Sequence, residues 1–179
     1  TAHDRITRAF REEQLFTKAG NGDLSSDAFL SRLGYTDPAA TMRDYLENYL
    51  TLDEGFIPFA EKNHERYDFV LLSNDVSEWN RYLFDLYGLH KYFKDSIVSG
   101  NVRMRKPEPR IFSYALDRLQ CSPGECTLID NSVKNLDAAQ RLWIGTVLFN
   151  RDKEAYTGNI VNTFEELAQL LLLRKNIVQ

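Results

Sequence analysis

The chain is poor in cysteine and histidine and has no excess of basic over acidic residues, and each lack closes off a class of function. Two cysteines, Cys121 and Cys126, cannot build the disulfide framework that holds small secreted domains together. They flank Ser122-Pro123-Gly124-Glu125. A bridge across that turn is conceivable, but the expectation is two reduced thiols in a cytoplasmic protein. The three histidines, His3, His64 and His90, are scattered without metal-ligand spacing. Lysine and arginine number 22 against 26 acids, a net charge of −4, so the basic face of a nucleic-acid binder is not expected. The most basic run, Arg103-Met104-Arg105-Lys106, ends at Pro107. No apolar run approaches the ~18 residues of a membrane span, and no stretch has the make-up of a signal peptide. Internal repeats and low-complexity segments are also missing.

What remains is ordinary globular material. With 179 residues, 43% of them hydrophobic, the chain can fold as one domain, or as one domain carrying a small insertion. Residues 1–53 read as helical. Ile6, Phe10, Leu15 and Phe16 form a loose amphipathic pattern, and Gly20-Asn21-Gly22-Asp23 is a turn. Ser25 or Ser26 can cap a helix that Gly34 stops, and Asp37-Pro38 opens another. Met42, Tyr45, Leu46 and Tyr49 share a stripe of that helix. Phe16, Tyr45 and Tyr49 are expected in a core rather than around a pocket. Such a piece, without a strand, suggests a cap over residues 54–179.

From residue 54 helices alternate with apolar runs. A helix is expected over 56–66, a doubly buried strand over 69–72, a helix ended by Gly88, and a short strand over 96–99. A loop over 100–106 leads to a helix opened by Pro107 and Pro109. Thr127-Leu128-Ile129-Asp130 is a strand feeding a helix with apolar positions Val133, Leu136, Ala139, Leu142 and Trp143. Gly145 to Phe149 is the last expected strand, residues 150–160 are a loop, and Thr163 with Glu166 starts a final helix. Alternation of this kind predicts an α/β fold, a doubly wound, Rossmann-like parallel sheet.

Polar residues gather where strands end, the edge at which parallel sheets bind ligands. Ser73-Asn74 closes the strand over 69–72 and can cap the next helix or cradle a phosphate. Lys106 is either a solvated surface residue or a charge that neutralises a phosphoryl group. Asp130-Asn131 is either a helix cap or a magnesium site, because a carboxylate at the mouth of a buried strand needs a partner.

The order of these clusters carries more than any one of them. Leu71-Leu72-Ser73-Asn74, Lys106-Pro107-Glu108-Pro109-Arg110-Ile111-Phe112 and Leu128-Ile129-Asp130-Asn131 with Asn135 resemble the later motifs of the haloacid dehalogenase (HAD) superfamily, in the branch with a helical cap inserted after the first strand. The resemblance implies a magnesium-dependent phosphatase that passes through an aspartyl-phosphate on a small phosphorylated substrate. It implies that Ser73 and the Asn74 backbone hold phosphoryl oxygens, and that Lys106 bridges phosphate and nucleophile. Asp130 and Asn131 fall on the metal-holding pair, and Asn135 on a supporting position. Stabilising charge spread over oxygens requires this grouping.

Two departures from the family pattern stand out. The nucleophile motif, Asp-x-Asp, is absent from residues 1–179; in the family it precedes the cap, on the central strand. A sheet without that strand would leave two apolar edges unpaired, so an upstream segment of about 15–25 residues, one strand and its loop, is expected. Asn131 stands where the family usually has a metal-binding Asp, which weakens the expected magnesium site. A metal-independent 2-haloacid dehalogenase and an inactive ligand- or partner-binding relative are the alternatives. Substrate identity and oligomeric state leave no mark in the sequence.

Overall fold

The structure is a computed structural model that describes residues 14–175; Ile6, Phe10 and His3 lie outside the described residues. In chain order the helices are α1 (Leu15–Gly20), α2 (Ser26–Arg32), α3 (Pro38–Asn48), α4 (Phe56–Asn63), α5 (Ser77–Leu86), α6 (Ser99–Val102), α7 (Pro109–Leu119), α8 (Val133–Gln140) and α9 (Phe164–Lys175). The strands are β1 (Phe69–Ser73), β2 (Phe93–Val98), β3 (Thr127–Asp130), β4 (Gly145–Phe149) and β5 (Asn159–Val161). This is the expected mixed α/β chain, and every strand pairing in it is parallel. The chain divides into two compact units, Thr1–Leu52 with Asp68–Arg105, and Asp53–Tyr67 with Lys106–Gln179.

In the first unit β1 pairs with β2, from Phe69 opposite Phe93 to Ser73 opposite Val98. The helical segment packs on α5, the helix that follows β1. Leu15, Ala19, Phe29, Leu30 and Leu46 bury their side chains against Val76 and Trp79. Ser25 accepts from Ala28 N–H at 3.2 Å and Asp37 from Ala40 N–H at 3.0 Å, so both predicted caps form. Ser26 seats Trp79, accepting its indole N–H at 2.7 Å. Tyr45 and Tyr49 are not core: Tyr49 is 71% exposed, and the two rings stack on each other at 6.2 Å. Only Leu46 of that stripe is fully buried, because a narrow helical face suffices to cover one neighbour.

The turn after α1 comes very close to the residues following the two strands. A Cβ on Gly22 (φ 76°) would stand 2.2 Å from the Gly100 carbonyl oxygen, a distance only glycine tolerates. Ser99, buried, donates its hydroxyl to Gly20 O and accepts Asp75 N–H at 3.0 Å. The first unit thereby anchors its helical segment at the carboxyl ends of β1 and β2.

In the second unit β3, β4 and β5 form a parallel sheet, with Asp130 opposite Leu148 and Phe149 opposite Val161. Phe164 at the start of α9 packs on Phe149, Phe59 and Phe56, at 4.9, 5.2 and 5.7 Å between centroids. Thr163 accepts from Glu166 N–H at 3.1 Å, as its spacing predicts.

Several expectations need correction. β1 is half-buried along its whole length, where a doubly buried strand was expected, and Ile129 of β3, expected to be buried, is exposed. Among the described residues each of these strands has one hydrogen-bonded neighbour, so one edge goes uncovered. Residues 99–102, expected as strand end and loop, form the short α6; the helix expected over 56–66 stops at Asn63; and β5 lies in the expected loop. Three-residue strands leave too short a pattern to read. The helix after Asp130 also ends early, at Gln140, and Trp143 is 85% exposed rather than packed.

Trp143 occupies the left-handed region (φ 65°). Its N–H donates to Gln140 O at 2.9 Å and that of Ile144 to Ala139 O at 3.2 Å, a helix stop of the kind that glycine usually makes. An L-residue pays about 1 kcal/mol there, and the exposed ring returns little packing. Trp143→Gly is therefore expected to raise stability by about 1 kcal/mol in urea unfolding; an unchanged or lower midpoint would mean that the indole is engaged in the fold.

Candidate active site

Three of the singled-out residues meet at the end of β3. Lys106 Nζ donates to Asp130 Oδ2 at 2.6 Å, with side chains 11% and 5% exposed. Asn135, one turn into α8, donates its amide to both carboxylate oxygens at 3.1 and 3.2 Å. Ser132 N–H reaches Oδ1 at 2.8 Å. The sequence explains the arrangement locally. β3 buries its last residue, the chain turns sharply at Asn131-Ser132, and α8 returns Asn135 to the same carboxylate. Lys106 arrives on the loop before α7, which Pro109 opens. A buried carboxylate so paired costs far less than a bare one.

Asn131 turns elsewhere. Its amide donates to Asp152 on the loop after β4 at 2.9 Å, at the surface. Glu154 of the same loop accepts Val133 N–H at 3.4 Å. Ser73 ends β1 in the first unit and Asn74 follows it. A shallow cavity of about 280 Å³ in that unit is lined by Ser77, Asn80, Arg81, Phe84, His90 and Lys94 among others. None of the residues singled out from the sequence lines it.

Magnesium takes hard oxygen ligands, one or two carboxylates being common, and completes its octahedron with water and substrate phosphate. Asp130 and the amide oxygen of Asn131 have that donor chemistry, but the Asn131 side chain is turned to Asp152 and both Asp130 oxygens are taken by Lys106, Asn135 and the Ser132 N–H. Among the described residues no three His, Cys, Asp or Glu side chains gather into a metal-holding group.

Two polar residues in the first unit escaped the sequence reading. Asp75 follows Ser73-Asn74; burial pushes its carboxyl up from 3.8 to about 6, against the lowering pull of Val76 N–H at 2.8 Å and the Asn80 side chain. Asn21 carries a buried amide oxygen with no hydrogen-bond partner, in the turn that meets Ser99-Gly100. It can accept from a ligand donor or an ordered water. The Gly20-Asn21-Gly22 spacing is the signal in the sequence, and by itself it marks a turn.

The class is that of a mixed α/β fold of parallel strands with a buried ammonium–carboxylate pair at the end of one of them. The haloacid dehalogenase-like hydrolase family model matches residues 8–142, most of the chain, and the chain belongs to that family. Its relatives differ in chemistry. (S)-2-haloacid dehalogenase 4A of Burkholderia cepacia is 24% identical over 182 residues, spanning 98% of this chain and 71% of that one. Phosphoserine phosphatase of Thermus thermophilus is 31% identical over 108 residues, 57% of this chain and 43% of that one. A HAD family enzyme of Bacteroides thetaiotaomicron, solved with magnesium and inorganic phosphate, matches with a TM-score of 0.72 at 20% identity, over 86% of this chain and 83% of that chain. At that identity the match speaks to the fold.

Lys106→Met leaves the Asp130 charge buried with amide partners alone. It is expected to destabilise by about 3 kcal/mol, and the double variant with Asp130→Asn to recover most of that. Urea unfolding of the four proteins measures it; additive losses would show that the pair is uncoupled. For Asp75 the fold favours the neutral acid. Its contribution is whole below pH 3.8 and is lost as pH rises through about 6. Asp75→Asn should therefore gain about 1–2 kcal/mol at pH 7.5, a gain that disappears near pH 4; equal stability at both pH values would contradict it.

Proposed function

We propose that this hydrolase is a magnesium-dependent phosphatase of small phosphate monoesters. The observation that carries the reading is the Lys106–Asp130 pair, buried and braced by Asn135. An ammonium held in place by a carboxylate is a preorganised charge, and phosphoryl transfer is catalysed mainly by such placement. In this reading Lys106 offsets the charge on the transferring group. Asp130 keeps the Lys106 ammonium aimed and shares the metal with Asn131. Ser73 and the Asn74 backbone bind phosphoryl oxygens, and Asn135 steadies Asp130. Magnesium, when bound, adds a second positive charge against the phosphoryl oxygens. Residues 1–179 contain no Asp-x-Asp, and the attacking aspartate is assigned to none of them. Residues 1–53 act as the cap that selects the substrate. The family relationship and the phosphoserine phosphatase relative support the phosphatase chemistry.

One observation favours a second reading. Asn131 brings an uncharged amide to the metal position, and the dehalogenase relative matches 98% of the chain. Such an enzyme would displace halide from a 2-haloacid without metal.

The test is release of p-nitrophenol from its phosphate by the full-length protein, with and without magnesium, beside halide release from 2-chloropropionate. Metal-dependent phosphatase activity that falls at least about a hundredfold in Lys106→Met is the expected result. Metal-free halide release would replace it with the second reading, and inactivity in both assays would leave a non-catalytic relative.

A further inference from the structure

Two thiols stand against each other in the second unit, away from any role in the chemistry above. Cys121 follows α7, whose end is closed by Gln120 in the left-handed region, and its N–H donates to Leu116 O at 3.2 Å. Cys126 leads into β3. Its N–H donates to Pro123 O at 3.2 Å and its carbonyl accepts Gly145 N–H at 3.0 Å. The four residues between them are a single tight turn. Glu125 Oε2 accepts both the Ser122 N–H, at 2.8 Å, and the Ser122 hydroxyl, at 2.7 Å, and Pro123 restricts the turn further. Backbone hydrogen bonds thus fix both ends of the turn. The sulfur atoms of these two free, half-buried cysteines lie 2.6 Å apart, so little of the chain has to move to join them.

We propose that Cys121 and Cys126 are a redox modification site that hydrogen peroxide converts to an intramolecular disulfide. The order of attack follows from their surroundings. Burial, then the hydrogen bond with Cys121, pushes the Cys126 thiol up to about 12, so Cys126 stays protonated at neutral pH and Cys121 reacts first. The Cys121 thiolate attacks one peroxide oxygen, the O–O bond breaks, and the departing hydroxide takes a proton to become water. Cys121 is then a sulfenic acid. The Cys126 sulfur attacks the Cys121 sulfur, the S–O bond breaks, and the Cys126 proton leaves with the hydroxyl as a second water. Two thiols are oxidised and one peroxide is reduced to two waters. The second step is intramolecular between groups already in place, which favours the disulfide over further oxidation of the sulfenic acid. The bridge would tie the end of α7, which follows the Lys106 loop, to the start of β3, which ends at Asp130. It is independent of the phosphatase reading.

The full-length protein, treated with hydrogen peroxide, quenched with an alkylating agent and weighed intact, decides the matter. Expected is joint loss of both thiols with the loss of two hydrogen atoms and no added oxygen, reversed by dithiothreitol. A proteolytic peptide pair linked through Cys121 and Cys126 should accompany it. Cys121→Ser and Cys126→Ser, under the same dose, should each fail to lose hydrogen and instead keep the remaining thiol or add oxygen. Wild-type protein that keeps both thiols, adds oxygen, or links chain to chain would overturn the proposal.

Discussion

A carboxylate at the end of a buried strand is tolerable only if something positive or hydrogen-bonding meets it, and in this protein that constraint organises the second unit. Asp130 is 8% exposed. Lys106, Asn135 and the Ser132 N–H satisfy it together. These groups come from three separate places in the chain: the loop before α7, the turn after β3, and the first turns of α8. Each element needs its own packing to deliver its group. Phe112 and Ile111 seat α7, and Leu136 and Ala139 seat α8. A charge pair of this kind contributes little net stability compared with an apolar core of the same volume.

The first unit rests on a different constraint, close backbone approach. Gly22 and Gly100 permit the helical segment to touch the residues that follow β1 and β2, and Ser99 bonds both sides of that contact. The consequence is that Asn21 and Asp75 lie next to the carboxyl end of β1, with Ser73 and Asn74. A buried acid with a raised pKa and a buried unpaired acceptor are both costly. Both occur at the strand end where parallel folds place ligands.

Much of the fold was legible from residue patterns. Short apolar runs, Phe69-Val70-Leu71-Leu72 and Val147-Leu148-Phe149, mark β1 and β4, and Ser25, Asp37 and Thr163 mark helix starts because capping is a local hydrogen bond. The Lys106-Pro107-Glu108-Pro109 and Leu128-Ile129-Asp130-Asn131 phrases pointed to the residues that the fold brings together, and to the family. The misses have physical causes as well. β5 is held by pairing with β4, not by its own pattern. Tyr49 and Trp143 have core-like side chains at core-like spacing, but their helices end before the burying surface is reached.

The sequence by itself determined the alternation of helix and strand, the caps, and the family, because these depend on neighbours a few residues apart or on fixed phrases. Only the tertiary structure decided that Asn131 turns to Asp152 while Asn135 takes the Asp130 carboxylate, and that Cys121 and Cys126 face each other. Those outcomes depend on side-chain direction after the chain has turned and packed, which spacing along the chain does not encode.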